Sequence, residues 1–299
     1  MKQRDEQLAK TRLVLCDIDG TLYDWDRILS PRTRKVINIL HENGYGLGLA
    51  SGRPYEELVH YADQWDFAFQ FDVLIGLNGA ELYIDRTDTL KESYKLSSDV
   101  LKRAVEVMSQ FKANPFLYWH QKILSIKEDA MLRKSANTSQ REIVIAKDPS
   151  ELWKEENAKI MFRMSEEETA RAIAYLDAHP DPEYSAFRTQ STLLEFMDPR
   201  ISKGFAIDQL EQLGEYRAEE ILAFGDTTND NSMLEKAGWG VCMINGSDDT
   251  KAAADDITAY SCREDGFARY IEEFLLKDMA VDQKEDGNES GSSDPNGDD

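Results

Sequence analysis

Two aspartates one residue apart, Asp17 and Asp19, sit in the run Leu13-Val-Leu-Cys-Asp-Ile-Asp-Gly-Thr-Leu22. The residues before them, Leu13 to Cys16, are uninterruptedly apolar. Strands covered on both faces read this way, and open α/β sheets bind ligands beyond the carboxyl ends of such strands. If the extended backbone continues, the side-chain period of two sends both carboxylates the same way. Gly20 then permits a sharp turn. Like charges held this close repel, so a cation belongs between them. The chemistry these residues suggest is a metal-assisted site for a phosphate group.

Three more segments place polar groups just past apolar runs: Ser51-Gly52-Arg53, Asn78, and Asp226/Asn229/Asp230. In a parallel sheet all four strand ends share one edge, so these groups can converge. Each also has a plain structural counterpart. Asp17 and Asp19 suit a turn closed by Gly20, and Asp226–Asp230 suits the N-terminus of the helix that follows. An EF-hand is disfavoured, because the Asp226 segment lacks the glycine at position six and the distal glutamate. Magnesium suits few carboxylates beside a substrate phosphate. Lys203 opens a predicted helix, where a cation opposes the macrodipole at a cost of up to about 1 kcal/mol. An anion bound there turns that liability into a clamp.

The run Asp17-Ile-Asp-Gly-Thr-Leu22 resembles the nucleophile motif of haloacid dehalogenase-like (HAD) phosphatases. The resemblance continues in order through Ser51-Gly52-Arg53, Ser202-Lys203-Gly204 and Gly225-Asp-Thr-Thr-Asn-Asp230, and spans about residues 11–276. An insertion between the second and third motifs resembles the Cof-type group with a C2B cap (subfamily IIB). The resemblance implies an aspartyl-phosphate mechanism with Asp17 as nucleophile and Asp19 as proton carrier. It implies that Ser51 and Lys203 hold phosphate oxygens and that Gly52, Arg53, Asn78 and Asn229 line the substrate side. It also implies Mg2+ held by Asp17, Asp226 and the Asp19 backbone carbonyl, with Asn229 and Asp230 in support.

The elements that must position these groups are readable in outline. Ser30 and Pro31 open a helix whose Val36, Ile37 and Leu40 share one face and whose end is marked by Gly44. Strands Tyr45–Ala50 and Val73–Leu77, with a helix from Tyr55 between them, complete a βαβαβ rhythm with right-handed crossovers. The middle mixes strand candidates (Leu117–Ile126, Lys159–Met164, Leu193–Met197) with helices near Ser98–Phe111 and Glu166–Ala178. A helix Lys203–Leu213, a strand Glu220–Phe224 and a loop-to-helix segment Asp226–Lys236 then return to the first pattern. The expected architecture is therefore an α/β, Rossmann-like HAD core with a parallel sheet and an inserted α+β cap domain. We expect core segments at 1–82 and 199–279, the cap at 83–198, and a disordered acidic tail at 280–299.

Composition narrows the function further. The net charge is −22, of which the last twenty residues carry −6. So acidic a chain argues against nucleic-acid binding through a broad basic face. An anionic substrate then needs local metal, Lys or Arg. The apolar runs fall short of the roughly 20 residues that span a bilayer, and no secretory signal is visible. Cys16, Cys242 and Cys262 are too few and too scattered for a disulfide framework or zinc site, which points to a reducing cytoplasm. The partner expected is a small phosphorylated metabolite, a sugar phosphate or a related compound, with no membrane and no obligate protein partner. The alternatives are a phosphosugar mutase and a non-catalytic phosphometabolite sensor. Arg163 and Arg188 in the insertion are candidates for a second anionic contact, against a plain structural role.

Overall fold

The computed structural model describes residues 2–24 and 28–277. Among the described residues the strands are, in chain order, β1 (Leu13–Cys16), β2 (Gly46–Ala50), β3 (Val73–Gly76), β4 (Glu81–Ile84), β5 (Thr89–Glu92), β6 (Asn114–Trp119), β7 (Lys122–Ser125), β8 (Ile143–Ile145), β9 (Lys159–Arg163), β10 (Ser185–Gln190), β11 (Leu193–Met197), β12 (Ile221–Gly225), β13 (Trp239–Cys242) and β14 (Asp256–Ile257). They form two sheets, ordered β14-β13-β12-β1-β2-β3-β4-β5 and β10-β11-β9-β6-β7-β8.

The first sheet is parallel from β14 to β3, and β4 and β5 add an antiparallel hairpin at one edge. Its central strands are buried along their whole length, which is why they read as unbroken apolar runs. Alternate residues feed two cores. Val14, Cys16, Leu47, Leu49 and Phe224 pack against Val36, Ile37 and Leu40 of the helix Pro31–Glu42. Leu13, Leu15, Val73, Ile75 and Ala223 pack on the other face against Ala206, Ile207 and Leu210 of the helix Lys203–Gln212. Helices therefore cover both faces, with Ser30 and Ser202 capping these two through their side chains.

The expected end of the first core segment, residue 82, falls inside β4, and the first sheet runs on to Glu92. Leu82 and Ile84 join the core beneath the sheet, whereas β5 is an edge strand of sequence Thr-Leu-Lys-Glu with no buried residue. That polarity hides it from a hydrophobic-pattern reading. The second sheet is antiparallel except for the β7–β8 pair. One face is covered by the helices Ser98–Met108 and Glu166–Ala178, through Ile160, Phe162, Leu194 and Phe196. The single strand expected over Leu117–Ile126 is a hairpin, β6 and β7, which turns at His120 and Gln121 with positive φ at both.

The three cysteines are free thiols. Among the described residues no helix is long and apolar enough to cross a membrane. The acidic stretch 280–299, read as a disordered tail, lies outside the described residues.

Candidate active site

Because β1, β2, β3 and β12 are parallel neighbours, their carboxyl ends share one edge of the sheet. Asp17 follows β1, and its backbone N–H continues the ladder to Phe224 O at 2.9 Å. Its side chain follows Leu13 and Leu15 to the face carrying the helix Lys203–Gln212. There the Lys203 ammonium donates to Asp17 Oδ1 at 2.6 Å and to Asp230 Oδ1 at 2.5 Å. Nothing of Lys203 is exposed. A lysine at the first position of a helix is thus held by two carboxylates instead of by water.

Asp226 completes a buried group: oxygens of Asp17, Asp226 and Asp230 all lie within 4.8 Å of one another. Asp230 is fully engaged, since its second oxygen accepts from the backbone N–H groups of Asp226 and Thr227 at 2.9 and 3.1 Å. Thr21 Oγ1 donates to Asp226 Oδ1 at 3.2 Å. Gly20, at φ +94°, abuts the other oxygen: a Cβ there would lie 2.3 Å from Asp226 Oδ2. Only glycine satisfies both the backbone and the space.

Three buried carboxylates surround one ammonium, with only Asp17 and Asp226 keeping a small exposed edge. Burial pushes the Asp17 carboxyl well above its ordinary range; Lys203 pulls it down, while Asp230 and Asp226 push it further up. Burial, and then Asp230, raise Asp226 to about 7 against the pull of Lys203. Burial opposes the charge on Lys203, but Asp17 and Asp230 outweigh it, and its pKa stands above the usual lysine value. The cluster is short of positive charge and offers only oxygen donors. That donor set fits a hard divalent cation such as Mg2+, with Asp17 and Asp226 the residues able to hold it. Asp19 contributes no carboxylate oxygen to this group, and the acid that joins Asp17 and Asp226 there is Asp230.

The two opening aspartates do not share a partner. After Ile18 the chain turns, with Ile18 O accepting from Thr21, Leu22 and Tyr23 N–H, so the extended period breaks. Asp19 instead meets Arg53, whose Nε and Nη2 donate to Asp19 Oδ2 at 3.1 and 2.7 Å and whose Nη2 also reaches Oδ1 at 2.8 Å. Ser51, at the end of β2, is buried, and its Oγ accepts from Arg53 N–H at 3.2 Å. Gly52 lies beside the Asn78 amide, where a Cβ would come 3.3 Å from Asn78 Oδ1.

At the end of β3, Leu77 and Asn78 both adopt positive φ, 47° and 55°. Such conformations cost about 1–3 kcal/mol each in non-glycine residues and gather at functional sites. The strain is held by Leu77 N–H to Arg53 O at 2.8 Å and Asn78 N–H to Ser51 O at 2.9 Å. Asn78 Oδ1 then accepts from Asn229 Nδ2 at 3.1 Å, tying β3 to the Asp226 loop. Of the insertion's two candidate arginines, Arg163 is buried and donates to Ser135, Gln190 and Thr192, while Arg188 is exposed. Lys159, Arg141 and Met197 link the insertion to this edge, and none of them carries a sequence signal of its own. Met197 Sδ accepts from Asn78 Nδ2 at 3.9 Å.

A Rossmann-like sheet with an aspartate-lysine cluster at its carboxyl edge, and a second α+β unit inserted beside it, defines the class. The pattern of the haloacid dehalogenase-like hydrolases matches residues 14–271, and the chain belongs to that family. It is 27% identical to the 5-amino-6-(5-phospho-D-ribitylamino)uracil phosphatase YitU of Bacillus subtilis, over 89% of this chain and 98% of that one. It is 28% identical to a phosphoglycolate phosphatase of Thermoplasma volcanium, over 85% of this chain and 94% of the relative. A solved haloacid dehalogenase-like hydrolase of Bacteroides thetaiotaomicron superposes with a TM-score of 0.75 at 27% identity, covering 88% of this chain and 99% of its own. The chain is accordingly a hydrolase of the phosphoric monoester class.

Proposed function

We propose that this enzyme is a Mg2+-dependent phosphatase that hydrolyses small phosphate monoesters through an aspartyl-phosphate on Asp17. The observation that carries the reading is the buried Lys203 bridging Asp17 and Asp230 beside Asp226, at the edge where Ser51 and Asn78 also end their strands. Asp17 attacks phosphorus, and the ester P–O bond breaks as Asp19 gives a proton to the departing oxygen. Asp19 then takes a proton from the water that attacks the phosphoenzyme, releasing inorganic phosphate and restoring Asp17. Both Asp19 oxygens are gripped by Arg53, so Arg53 must release one for Asp19 to carry a proton. Ser51 and Lys203 hold the phosphate oxygens, with Gly52, Arg53, Asn78 and Asn229 on the substrate side. In phosphoryl transfer such positioning and electrostatics supply most of the rate. Asp17, Asp226 and the Asp19 backbone carbonyl would hold the metal, which would supply the positive charge that lets an anionic nucleophile meet an anionic substrate.

The inserted unit, from the end of β5 to β11, acts as the cap that excludes bulk water and selects the leaving group. The named substrates of the two phosphatases above, one a phosphorylated ribityl compound and one a phosphorylated short acid, support a small phosphorylated metabolite here. Sugar phosphates and related compounds are the first group to try. The test is a panel of phosphate monoesters assayed with Mg2+ and with chelator. Chelator-sensitive phosphate release from some members supports the reading. Binding without release points to a sensor, and an isomeric sugar phosphate without phosphate release points to a mutase.

A further inference from the structure

Two cations of the inserted unit land on one short core segment. Lys159, at the start of β9, is only 2% exposed. Its ammonium donates to Gly52 O at 2.9 Å and to Glu195 Oε2 at 2.8 Å. Thr189 Oγ1 holds the other Glu195 oxygen at 3.1 Å, so the lysine is aimed from within its own unit. Arg141, which follows the helix Ala130–Ser139, donates through Nη2 to Glu56 Oε2 at 3.0 Å and through Nε to Glu57 Oε1 at 3.3 Å. Its side chain is 6% exposed. Tyr118 joins the two, its ring centre 4.7 Å from the Arg141 guanidinium and 5.4 Å from the Lys159 ammonium.

The gripped segment is the one that carries Ser51 and Arg53. Lys159 fixes the Gly52 carbonyl, directly between those two residues. Arg141 fixes Glu57, which in turn lies 3.7 Å from Arg53 Nη1 on the side away from Asp19. Charges therefore alternate from cap to proton carrier: Arg141, Glu57, Arg53, Asp19. Buried charge-assisted bonds of this kind hold geometry more firmly than exposed ones. Within the core, the segment is also held by Leu77 N–H to Arg53 O, Asn78 N–H to Ser51 O, Ser51 N–H to Ile75 O and Tyr55 N–H to Glu81 Oε2.

We infer that the inserted unit is part of the phosphate-binding scaffold as well as a cover, with Lys159 and Arg141 as positioning residues that fix Gly52–Glu57 and through it Ser51 and Arg53. The inference rests on the assignment of Ser51 and Arg53 to the substrate side. It predicts that the cap's two contacts tune phosphate affinity while leaving the metal cluster, which they do not touch, as it is.

The test pairs hydrogen exchange with ligand binding. Lys159→Met alone would strand the buried Glu195, so the variant is Lys159→Met/Glu195→Gln, with Arg141→Met made separately because its Glu56 partner is already partly solvated. Backbone exchange over residues 51–58, inorganic phosphate affinity by competition, and Mg2+ affinity by calorimetry are measured for each. The expected result is faster exchange in that segment, phosphate affinity weaker by about tenfold, as the loss of one charged bond implies, and unchanged Mg2+ affinity. KM should rise about as far as phosphate affinity falls, with kcat moving less. Wild-type exchange over 51–58 in both variants overturns the inference, as does a parallel loss of Mg2+ affinity. The exchange readout decides the matter even for a wild-type protein that hydrolyses nothing, so the two failures are told apart.

Discussion

Lys203, fully buried, and Asp17 meet 2.6 Å apart, although 186 residues separate them in the chain. The helix that begins at Lys203 is pinned to the sheet by Ala206, Ile207 and Leu210, so the ammonium is delivered by core packing and not by a flexible loop. Among the described residues it is the one cation bonded within the aspartate cluster, to Asp17 and to Asp230.

Replacing that lysine should therefore harm fold and chemistry together. Removing one partner of a buried ion pair costs about 3–5 kcal/mol, and removing a donor aimed at developing phosphoryl charge costs about 100-fold or more in kcat. For Lys203→Met we expect both, read by denaturant unfolding and by steady-state turnover. A variant as stable as wild type would show that the aspartates compensate by protonation.

The same cluster sets a pH dependence for the metal-free protein. Asp226 has its pKa raised in the fold to about 7, so its ionisation opposes folding. The penalty is absent below the ordinary aspartate pKa, grows as pH rises, and is complete above about 7. Asp17 is raised in the same direction. Magnesium should relieve this penalty, so the rise in Tm on adding Mg2+ should be small near pH 5 and large near pH 8. Thermal scans across that range, with and without the metal, check it; a shift that shrinks toward high pH contradicts the assignment.

Gly20→Ala offers a test that alters no charged group. Its Cβ would meet Asp226 Oδ2 at 2.3 Å on a backbone with φ +94°, so Asp226 must move. We expect Mg2+ affinity to fall at least about tenfold, a 1.4 kcal/mol effect, with the apolar cores intact. Titration calorimetry beside circular dichroism would read both.

Much of this site was legible in the sequence because it lies where apolar runs stop. Leu13–Cys16, Gly46–Ala50 and Ile221–Gly225 are buried along their whole length, so their ends announce the polar residues that follow. The shared direction of Asp17 and Asp19 was not legible correctly, because the turn that separates them depends on hydrogen bonds to Ile18 O. Arg53 gave no sign that its partner is Asp19. β5 escaped because an exposed edge strand has no apolar period to read. Lys159 and Arg141 escaped for another reason: a buried lysine or arginine is spelled like a surface one, and only the packing of two units tells them apart.

The proposed phosphatase stands or falls with Asp17 as its nucleophile. The most direct measurement is inorganic phosphate release from the best substrate of the monoester panel by wild type and by Asp17→Asn, with Mg2+ and with chelator, each variant checked for a native circular dichroism spectrum. Release is expected from wild type in Mg2+ alone, and none above background from a folded Asp17→Asn. Turnover retained by the folded variant would contradict it.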